Sequence, residues 1–354
     1  MPVTVVVGGQ FGSEGKGKVA HYLAREMNAR IVVRCGGPNS GHTVIDEQGS
    51  ARIFQQLPTA SILPDVMLAI CAGSYIDLDI LFREIKETKL DAGRLTIDPD
   101  AVIITEELKA RETQCGLIQK IGSTGSGTGA AVAARINRED SLLFAKDIPE
   151  LKPYLANVSE ILRTVLNNRE RIIIEGTQGF GLSPLHSRLY PYTTSRDTTA
   201  ASFVSETGLS PLDVDDIVLT IRAFPIRVYG NSGLLLKEIT WEAISVGSGS
   251  PIKLEERTSV TKKKRRVALF DPEIVIKSNI VNKPSRIVLN HLDYVDWNVR
   301  KAGGQSLKVL KFIKKVEKEI KRKIDLIGFG PEHLESTNSF IETHIISKKM
   351  KNRI

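Results

Sequence analysis

The chain has 354 residues, of which 41% are hydrophobic and 25% charged, with a formal net charge of +8. This is the profile of a soluble globular protein with enough core for one large α/β domain or two ordinary ones. No signal-peptide pattern is present, the apolar stretch 66–73 is too short to cross a bilayer, and Cys35, Cys71 and Cys115 lack disulfide or metal-ligand spacing. We therefore expect a cytoplasmic protein with no membrane partner. Its excess positive charge attracts anions, either nucleic acids or small phosphorylated and carboxylated substrates.

The first elements predict a parallel sheet covered by helices. Residues 4–9 form a β-branched run that ends in glycines, residues 16–29 show helical periodicity, and residues 29–34 are the next strand. Strand, glycine-rich loop, helix and strand in this order indicate a βαβ unit, and hence a mostly parallel α/β sheet flanked by helices. Further strands are predicted at 94–98, 101–105, 171–176, 216–222 and 286–292, with helices at 76–88 and 154–168. Without an internal repeat or clear linker, residues 1–354 are expected to form a single domain.

Near the end of the chain, residues 306–324 predict an amphipathic helix. Leu307, Leu310, Ile313 and Val316 recur at spacings of three and four, and lysines occupy the other face. A lysine-rich face of this kind is usually solvated, although it would also suit nucleic-acid docking. We favour the solvated face.

The glycine-rich loop after the first strand predicts phosphate binding. Residues 8–18 read GGQFGSEGKGK between a strand and a helix, where free backbone N–H groups and the helix N-terminus attract anions. Lys16 can neutralise phosphate charge. The loop is not a Walker A motif, because Gly17 follows the lysine in place of the hydroxyl residue that binds magnesium.

This loop resembles the GxQWGDEGKGK signature of adenylosuccinate synthetases, and further motifs follow in order along almost the whole chain. NSGHT (39–43), IGSTGSGTG (121–129), EGTQGFG (175–181), YPYTTSRDTTA (190–200), VTKKKRRVALFD (260–271), NHLD (290–293) and GFGPE (328–332) are each similar to a motif of that family. The resemblance implies an α/β fold related to P-loop NTPases, with small subdomains. The length is similar to that of the shorter archaeal-type members.

The resemblance implies a two-step ligase reaction. A γ-phosphate passes to the purine 6-oxygen, and the aspartate amine then replaces the resulting phosphate at C6. Ser13, Lys16, His42 and Gln178 occupy the catalytic positions: His42 matches a general acid, and Gln178 matches a residue near the 6-oxygen. Mg²⁺ is implied, with Ser13 and the carbonyl of Gly41 at the positions of its ligands.

The resemblance also implies binding residues for three substrates and a subunit contact. Arg138 matches an arginine that reaches into the partner of a homodimer. Out of context the run KKKRR (262–266) is typical of a nucleic-acid patch, but the resemblance makes it a loop that closes over aspartate, where an arginine can form a two-pronged hydrogen bond. The expected residues are Asn39, Ser123, Thr124, Arg138, Gln178, Thr194 and Lys263 for the nucleoside monophosphate; Ser13, Val260, Thr261 and Arg265 for aspartate; and Gly12, Ser13, Glu14, Gly15, Lys16, Gly17, Gly41, His42, Thr43, Asn290, His291, Asp293, Gly328, Gly330 and Pro331 for the triphosphate.

Ser13 is the most informative departure from the family pattern, which has an aspartate that takes the N1 proton and binds magnesium. Serine is a poor base and a weaker metal ligand. The protein is therefore inactive, obtains its base elsewhere, or uses another substrate. A smaller, neutral residue leaves room for the 2-amino group of guanine. A dGMP-using phage branch of the family carries serine there, and this sequence resembles that branch, which acts in a host cytoplasm.

Two further departures concern the sugar and the donor base. Lys263 replaces an arginine near the ribose. Lysine carries a point charge where arginine has a planar fork of donors, and losing a contact with the 2′-hydroxyl in this way suits a deoxyribose. His291 replaces a lysine in the donor-base segment, which suits ATP or dATP, whereas the retained Asp293 suits the N–H donors of guanine.

Three functions remain open from the sequence. The leading hypothesis is ligation of L-aspartate to dGMP with ATP or dATP. The alternative is ordinary adenylosuccinate synthesis from IMP, aspartate and GTP. A basic nucleic-acid-binding protein is the third, and it leaves the phosphate and histidine motifs unexplained, so no nucleic-acid partner is expected.

Overall fold

A computed structural model describes residues 2–258, 262–301 and 306–343. In chain order the strands are β1 (Val3–Gly8), β2 (Ile31–Arg34), β3 (His42–Ile45), β4 (Ala51–Phe54), β5 (Met67–Ile70), β6 (Tyr75–Ile76), β7 (Leu95–Ile97), β8 (Val102–Ile103), β9 (Ile172–Glu175), β10 (Val214–Arg222), β11 (Ile226–Arg227), β12 (Glu238–Ile239), β13 (Arg266–Ala268), β14 (Arg286–Asn290), β15 (Leu326–Phe329) and β16 (His333–Ser336). The α-helices are α1 (Lys16–Glu26), α2 (Leu78–Thr88), α3 (Glu106–Gln114), α4 (Leu117–Ile121), α5 (Thr128–Asn137), α6 (Val158–Asn167), α7 (Ala200–Thr207), α8 (Trp241–Ser248), α9 (Pro272–Asn282) and α10 (Leu307–Ile320). Short 3-10 turns lie at Thr59–Ile62, Ala145–Asp147, Pro149–Tyr154, Phe180–Leu182, Pro211–Asp213, Leu292–Tyr294 and Trp297–Arg300.

A nine-stranded sheet in the order β16-β15-β14-β10-β1-β9-β2-β5-β7 forms the centre of the molecule. All neighbours are parallel except β15 and β16, which are antiparallel. The central strands are almost wholly buried runs of valine, isoleucine and leucine, as expected for parallel strands covered on both faces. The predicted α/β fold with a mostly parallel sheet flanked by helices is confirmed.

Each face of the sheet packs against its own helices. On one face, alternate residues such as Val5 and Ile174 pack against α6, α7, α9 and α10. On the other face, the intervening residues such as Val6 and Ile173 pack against α1 and α2. Because side chains alternate along a strand, two separate cores form on the two faces.

The strand register brings charged residues together at the carboxyl edge of the sheet. Glu175 ends β9 beside Arg34, which ends β2, and Arg222 ends β10 beside Asn290, which ends β14. The loops that follow β1, β2, β9, β10 and β14 leave the sheet at this same edge. In open parallel sheets this edge is where ligands bind.

Small elements extend the carboxyl edge. The β3–β4 hairpin carries His42, and the three-stranded sheet β11-β13-β12 carries Arg227 and Arg266. A further pair, β6 and β8, stands apart from the central sheet, so the strand predicted at 101–105 does not belong to it. These pieces are the small subdomains implied by the resemblance.

Most predicted helices and strands are present with shifted ends. The helix predicted at 16–29 ends at Glu26, the one predicted at 154–168 begins at Val158, and the one predicted at 306–324 spans Leu307–Ile320. The lysine-rich face of that last helix points outward while Val309, Ile313 and Val316 are buried. Within the described ranges, the helices are all too short or too polar to cross a membrane.

Candidate active site

A cavity of about 650 Å³ opens at the carboxyl edge of the sheet, and most residues predicted for the site line it. This volume suits a small-molecule ligand. The motif residues on its wall come from the segments that follow β1, β2, β9, β14 and β15, from the loop between α4 and α5, and from the segment just before β13. They are Gly12, Ser13, Gly15, Lys16, Gly17, Asn39, Gly41, His42, Thr43, Thr124, Gln178, Arg265, His291, Asp293, Gly330 and Pro331.

The glycine-rich loop is held in shape by the fully buried carboxylate of Glu14. One oxygen, Oε1, accepts hydrogen bonds from the backbone N–H of Gln10 and Gly12 at 3.1 and 2.7 Å. The other oxygen, Oε2, pairs with the Lys16 ammonium at 2.7 Å. Lys16 was expected to neutralise phosphate charge, but Glu14 already balances much of its charge. The N-terminus of α1 therefore supplies more of the attraction for phosphate than the sequence alone indicates.

His42 packs directly against the first turn of α1. A Cβ added to Gly17 would lie 2.7 Å from the Cβ of His42, so only glycine lets the helix approach this closely. Ser13 and His42 consequently line the same cavity, as the predicted site requires. The loop that carries Gln178 lies beside them, since a Cβ on Gly179 would clash with the backbone N of Gly12.

A buried carboxylate orients the His42 ring. His42 Nδ1 lies 2.5 Å from Glu175 Oε1, which also accepts from Arg34 Nη1 at 2.7 Å, and Arg34 Nη1 contacts the His42 ring as well. Glu175 Oε2 accepts from the backbone N–H and the hydroxyl of Thr59. Because a carboxylate only accepts, we assign the proton of His42 to Nδ1. The lone pair of Nε2 is buried without a partner in the described part of the chain.

Burial and the neighbouring Arg34 guanidinium together lower the pKa of His42 to about 4, against the opposing pull of Glu175. Burial alone would raise the pKa of Glu175, but its contacts with His42 and Arg34 lower it overall. At neutral pH the pair is therefore a neutral imidazole beside a carboxylate. An incoming phosphate dianion would raise the His42 pKa, which suits proton donation to a transferring phosphoryl group.

A second carboxylate, the half-buried Glu256, holds two arginines at the expected aspartate site. Glu256 Oε1 contacts Arg222 Nη2 at 2.5 Å, and Glu256 Oε2 contacts Arg265 Nη1 at 2.9 Å. Arg222 also donates to the carbonyl of Ser13 at 3.0 Å, so this cluster is joined to the glycine-rich loop. Despite its burial, the arginines hold the pKa of Glu256 far below its usual range. Arg265 thus already has a carboxylate partner before any aspartate binds.

The residues expected to bind the donor base form a third group. Asp293 is buried, with Oδ2 at 3.8 Å from Arg300 Nη1 and Oδ1 lacking a partner among the described residues. Burial lowers the pKa of His291 well below 6.5, and Arg222 lowers it further. Burial also lowers the pKa of Lys18 to about 8, against the attraction of Asp293. An uncharged His291 and a free carboxylate oxygen suit recognition of a base edge.

Some predicted residues lie behind or beside the cavity wall. Asn290 donates to the Glu14 carbonyl at 2.7 Å, and Gly328 packs against the Asn290 side chain, so both support the loop from beneath. Ser123 donates to Glu112, whereas the Lys263 side chain is exposed. Arg138 caps α5 on the surface, away from the cavity of its own chain. Thr194 is off the wall, and Val260 and Thr261 lie outside the described residues.

The sequence reasoning missed several charged residues that the site depends on. Arg34, Glu175 and Arg222 each end a buried apolar strand, in IVVR, IIIE and DIVLTIR. A charge at the carboxyl end of a buried parallel strand was the available signal, because that edge carries the ligand site. Glu256 and Arg227 carried no comparable signal.

At the expected ligand positions the chain offers Mg²⁺ neutral oxygens in place of the aspartate of the family pattern. The expected ligands are the Ser13 hydroxyl and the Gly41 carbonyl, and both residues line the cavity. The nearby carboxylates of Glu14, Glu255 and Glu256 are each paired with lysine or arginine. Oxygen donors suit Mg²⁺, which commonly takes most of its ligands from substrate phosphates and water. The donor set therefore fits a cation held mainly by the substrate.

Comparison with known proteins matches this chain to one family over most of its length. A family model described as adenylosuccinate synthetase matches residues 5–145 and 142–301. An adenylosuccinate synthetase of Archaeoglobus fulgidus is 35% identical, covering 94% of this chain and 96% of its own. One from Methanocaldococcus jannaschii is 38% identical, covering 93% and 94%.

Two solved structures share the fold. The succinoaminodeoxyadenylate synthetase of cyanophage S-2L, bound to dGMP and to dATP as an energy donor, has 28% identity and a TM-score of 0.79, covering 98% of this chain and 99% of its own. Fully ligated adenylosuccinate synthetase from Plasmodium falciparum has a TM-score of 0.84, covering 95% and 100%; at 19% identity it supports the fold alone.

Proposed function

Because this chain belongs to the adenylosuccinate synthetase family, a family of ligases that form C–N bonds, we propose that it joins L-aspartate to C6 of dGMP. Hydrolysis of a nucleoside triphosphate would drive the reaction through a 6-phosphoryl intermediate. The product would be 2-amino-2′-deoxy-N6-succinyladenylate, a precursor of diaminopurine for DNA. ATP or dATP is the proposed donor.

The observation that carries the proposal is Ser13 on the cavity wall. Ser13 has a left-handed backbone, with φ 58°, in the loop that shares the cavity with His42 and Gln178. A hydroxyl there is smaller than the carboxylate of the family pattern and carries no charge. It leaves room for the 2-amino group of guanine and can accept a hydrogen bond from it. The similarity to a cyanophage enzyme bound to dGMP supports the same substrate.

The residues of the cavity have separate roles in the proposed reaction. The N-terminus of α1 holds the triphosphate, and His42 presents Nε2 to the phosphoryl group as it moves to the 6-oxygen. Gln178 positions that oxygen. Arg265 then binds a carboxylate of aspartate so that the amine faces C6. Mg²⁺, when bound, would neutralise phosphate charge, with Ser13 and Gly41 as its protein ligands.

Arg138 is proposed to act in a neighbouring subunit. It lies at the exposed end of α5, outside the cavity of its own chain. A homodimer would let it reach the monophosphate of the partner. Mixing a His42→Asn chain with an Arg138→Ala chain should restore part of the activity that each lacks alone. Failure of the mixed chains to recover activity, with subunit exchange verified, would contradict this role.

Adenylosuccinate synthesis from IMP, aspartate and GTP is the second candidate. The names of the relatives at 35% and 38% identity favour it, and the unpartnered Asp293 Oδ1 suits the N–H donors of guanine in GTP. In this case the chain has a serine in place of the catalytic base but keeps IMP as its substrate, and another group takes the N1 proton.

Activity measured with each substrate in turn separates the two candidates. The purified protein is supplied with Mg²⁺, aspartate and ATP, dATP or GTP in turn, and with dGMP, GMP or IMP; released phosphate and succinylated product are measured. We expect product from dGMP and little from IMP. Ser13→Asp should lower kcat/KM for dGMP by about 10-fold or more, since it crowds the 2-amino group. Ser13→Ala, which keeps the space, is the matched control. Product from IMP alone would refute the assignment.

A further inference from the structure

Arg227 is a buried arginine on the cavity wall with no assigned role. It ends β11, is 4% exposed, and its guanidinium lies over the Phe11 ring at 4.8 Å from the centroid. Its Nη2 donates to the carbonyl of Tyr192 at 2.8 Å. Its Nε and Nη1 have no hydrogen-bond partner in the described ranges. The side chain is thus held firmly in place while several of its donors remain unused.

Arg266 shows what a structural arginine looks like at the same place. Arg227 and Arg266 are direct partners across the antiparallel β11–β13 pair. Arg266 forms two hydrogen bonds with the Glu238 carboxylate, at 2.9 and 2.7 Å, and donates to the Gly233 carbonyl. Arg227 has no carboxylate partner among the described residues, and residues 259–261, 302–305 and 344–354 contain no aspartate or glutamate.

An uncompensated guanidinium is costly in this position. Burial, together with the charge of Arg266, lowers the pKa of Arg227 to about 10. Leaving a buried charge without a partner destabilises a folded protein. Such a group is retained at a cavity wall when a ligand supplies the opposite charge.

Contacts with two neighbouring loops indicate which charged group of a ligand Arg227 would bind. Arg227 binds the carbonyl of Tyr192, two residues before Thr194. The adjacent Val228 contacts Gly122, since a Cβ there would lie 3.3 Å from Val228 Cγ2, and Gly122 is two residues before Thr124. The family resemblance assigns Thr124 and Thr194, together with Asn39, to the 5′-phosphate of the nucleoside monophosphate. Arg227 therefore contacts one loop of the proposed phosphate subsite, and its neighbour Val228 contacts another.

We propose that Arg227 binds the 5′-phosphate of the nucleoside monophosphate and supplies, within one chain, the main positive charge of that subsite. The inference rests on the proposed function only in requiring that the cavity binds a purine monophosphate; it holds for dGMP and IMP alike. The contact with Phe11 holds the guanidinium in place, and its unpartnered Nε and Nη1 are the donors that phosphate oxygens would satisfy.

The test compares a nucleotide with its nucleoside. Dissociation constants for dGMP and deoxyguanosine are measured by calorimetry for the wild type and for Arg227→Met, which keeps the length of the side chain and its packing on Phe11. We expect dGMP to bind about 10- to 100-fold more weakly to the variant. Binding of deoxyguanosine should change less than about threefold, because it lacks the phosphate. An equal loss for both ligands, or no loss for either, would overturn the proposal.

Thermal unfolding without ligand gives a second readout that a structural role would not produce. Removing an uncompensated charge should leave the Tm of Arg227→Met equal to or above that of the wild type. Arg266→Met is the matched control: it breaks an ion pair, so its Tm should fall while its preference for dGMP over deoxyguanosine stays unchanged. An Arg227→Met protein that unfolds early or fails to fold would show that the arginine is structural.

Two further measurements distinguish failure of the phosphate assignment from failure of the proposed function. If Arg227 binds aspartate instead, Arg227→Met will weaken aspartate binding and spare dGMP, which contradicts the phosphate assignment. Repeating the titrations with IMP tests the proposed function separately. A loss of phosphate-dependent affinity with both nucleotides supports Arg227, whichever base the enzyme prefers.

Discussion

Glu175 and Glu256 each hold two basic side chains with one carboxylate, and they leave those side chains in opposite states. Glu175 accepts from Arg34 and His42 but leaves His42 Nε2 unpartnered in the cavity. Glu256 pairs with Arg222 and Arg265 through both of its oxygens. The first cluster is ready for a phosphoryl group before substrate arrives. In the second, Arg265 already has a carboxylate partner, which an aspartate substrate bound there, as proposed, would have to displace or share.

This difference has a physical basis in what each cluster binds. A phosphoryl acceptor needs a preset hydrogen-bonding group, because reorganisation during the reaction raises the barrier. Without a carboxylate partner, the guanidinium groups of Arg222 and Arg265 would repel each other, and Glu256 neutralises that repulsion. Its carboxylate occupies Arg265 in the place that a carboxylate of aspartate would take. Aspartate binding then exchanges one ion pair for another at modest net free energy.

Removing the His42 imidazole is the strongest test of the first cluster. His42→Asn keeps a donor toward Glu175 but removes Nε2, so kcat should fall by about 10²- to 10⁴-fold. The dissociation constant for dGMP should change by only a few fold. Steady-state kinetics and calorimetry on the same preparation measure the two effects. A variant with near-normal kcat would mean that another group donates the proton.

Glu175→Gln tests whether that carboxylate positions His42. Glutamine keeps the size of the side chain but removes the charge that balances Arg34, so kcat should fall by about 10- to 100-fold. The free energy of unfolding should fall by about 3 kcal/mol, because a buried guanidinium loses its partner. Denaturant unfolding gives the second value. Glu175→Asp should recover part of the stability; if activity is lost only in proportion to folded protein, Glu175 has no positioning role.

The acid dependence of stability tests the burial of His42. Its pKa is about 4 in the folded protein and 6.5 ordinarily, so between these values the unfolded chain binds a proton that the folded chain does not. Its contribution is complete above pH 6.5 and is lost as the pH falls toward 4. From pH 7 to pH 5 the loss should be about 2 kcal/mol, and His42→Asn should lack this component. The same pH slope in both proteins would contradict the burial of a neutral imidazole.

Glu256→Gln should produce the smallest of these effects, and it should strengthen aspartate binding instead of impairing function. Without a competing carboxylate, Arg265 is available, so aspartate should bind about threefold to tenfold more tightly, about 1 kcal/mol. The unliganded variant should be less stable, because Arg222 loses its partner. Aspartate should therefore raise the Tm of the variant more than that of the wild type. Weaker aspartate binding would show that Glu256 helps to hold the substrate.

The sequence predicted the fold and the cavity lining better than the internal contacts of the site. Strands and helices followed from apolar periodicity, and the glycine loop followed from its place between β1 and α1. Periodicity carries no information on which charges meet: Glu175 and Arg34 are 141 residues apart and are joined only by the β9–β2 register. The pairing of Arg265 with Glu256, nine residues away, depends on how the loop folds back.

Ser13 shows that a motif can identify a site residue without predicting which residues contact it. The residue was identified as the key departure from the family pattern, and the structure places it on the cavity wall. Its neighbours were not predictable, since the carbonyl of Ser13 accepts from Arg222, which is 209 residues away. This contact holds the backbone of the loop and does not involve the Ser13 hydroxyl.

The most direct test is an experimental structure of the protein with dGMP. The account predicts that the guanine 2-amino group lies within hydrogen-bond distance of Ser13 Oγ, about 2.7–3.2 Å, with the 6-oxygen toward Gln178 and His42. A guanine whose 2-amino edge points away from Ser13 would contradict the proposed basis of substrate choice.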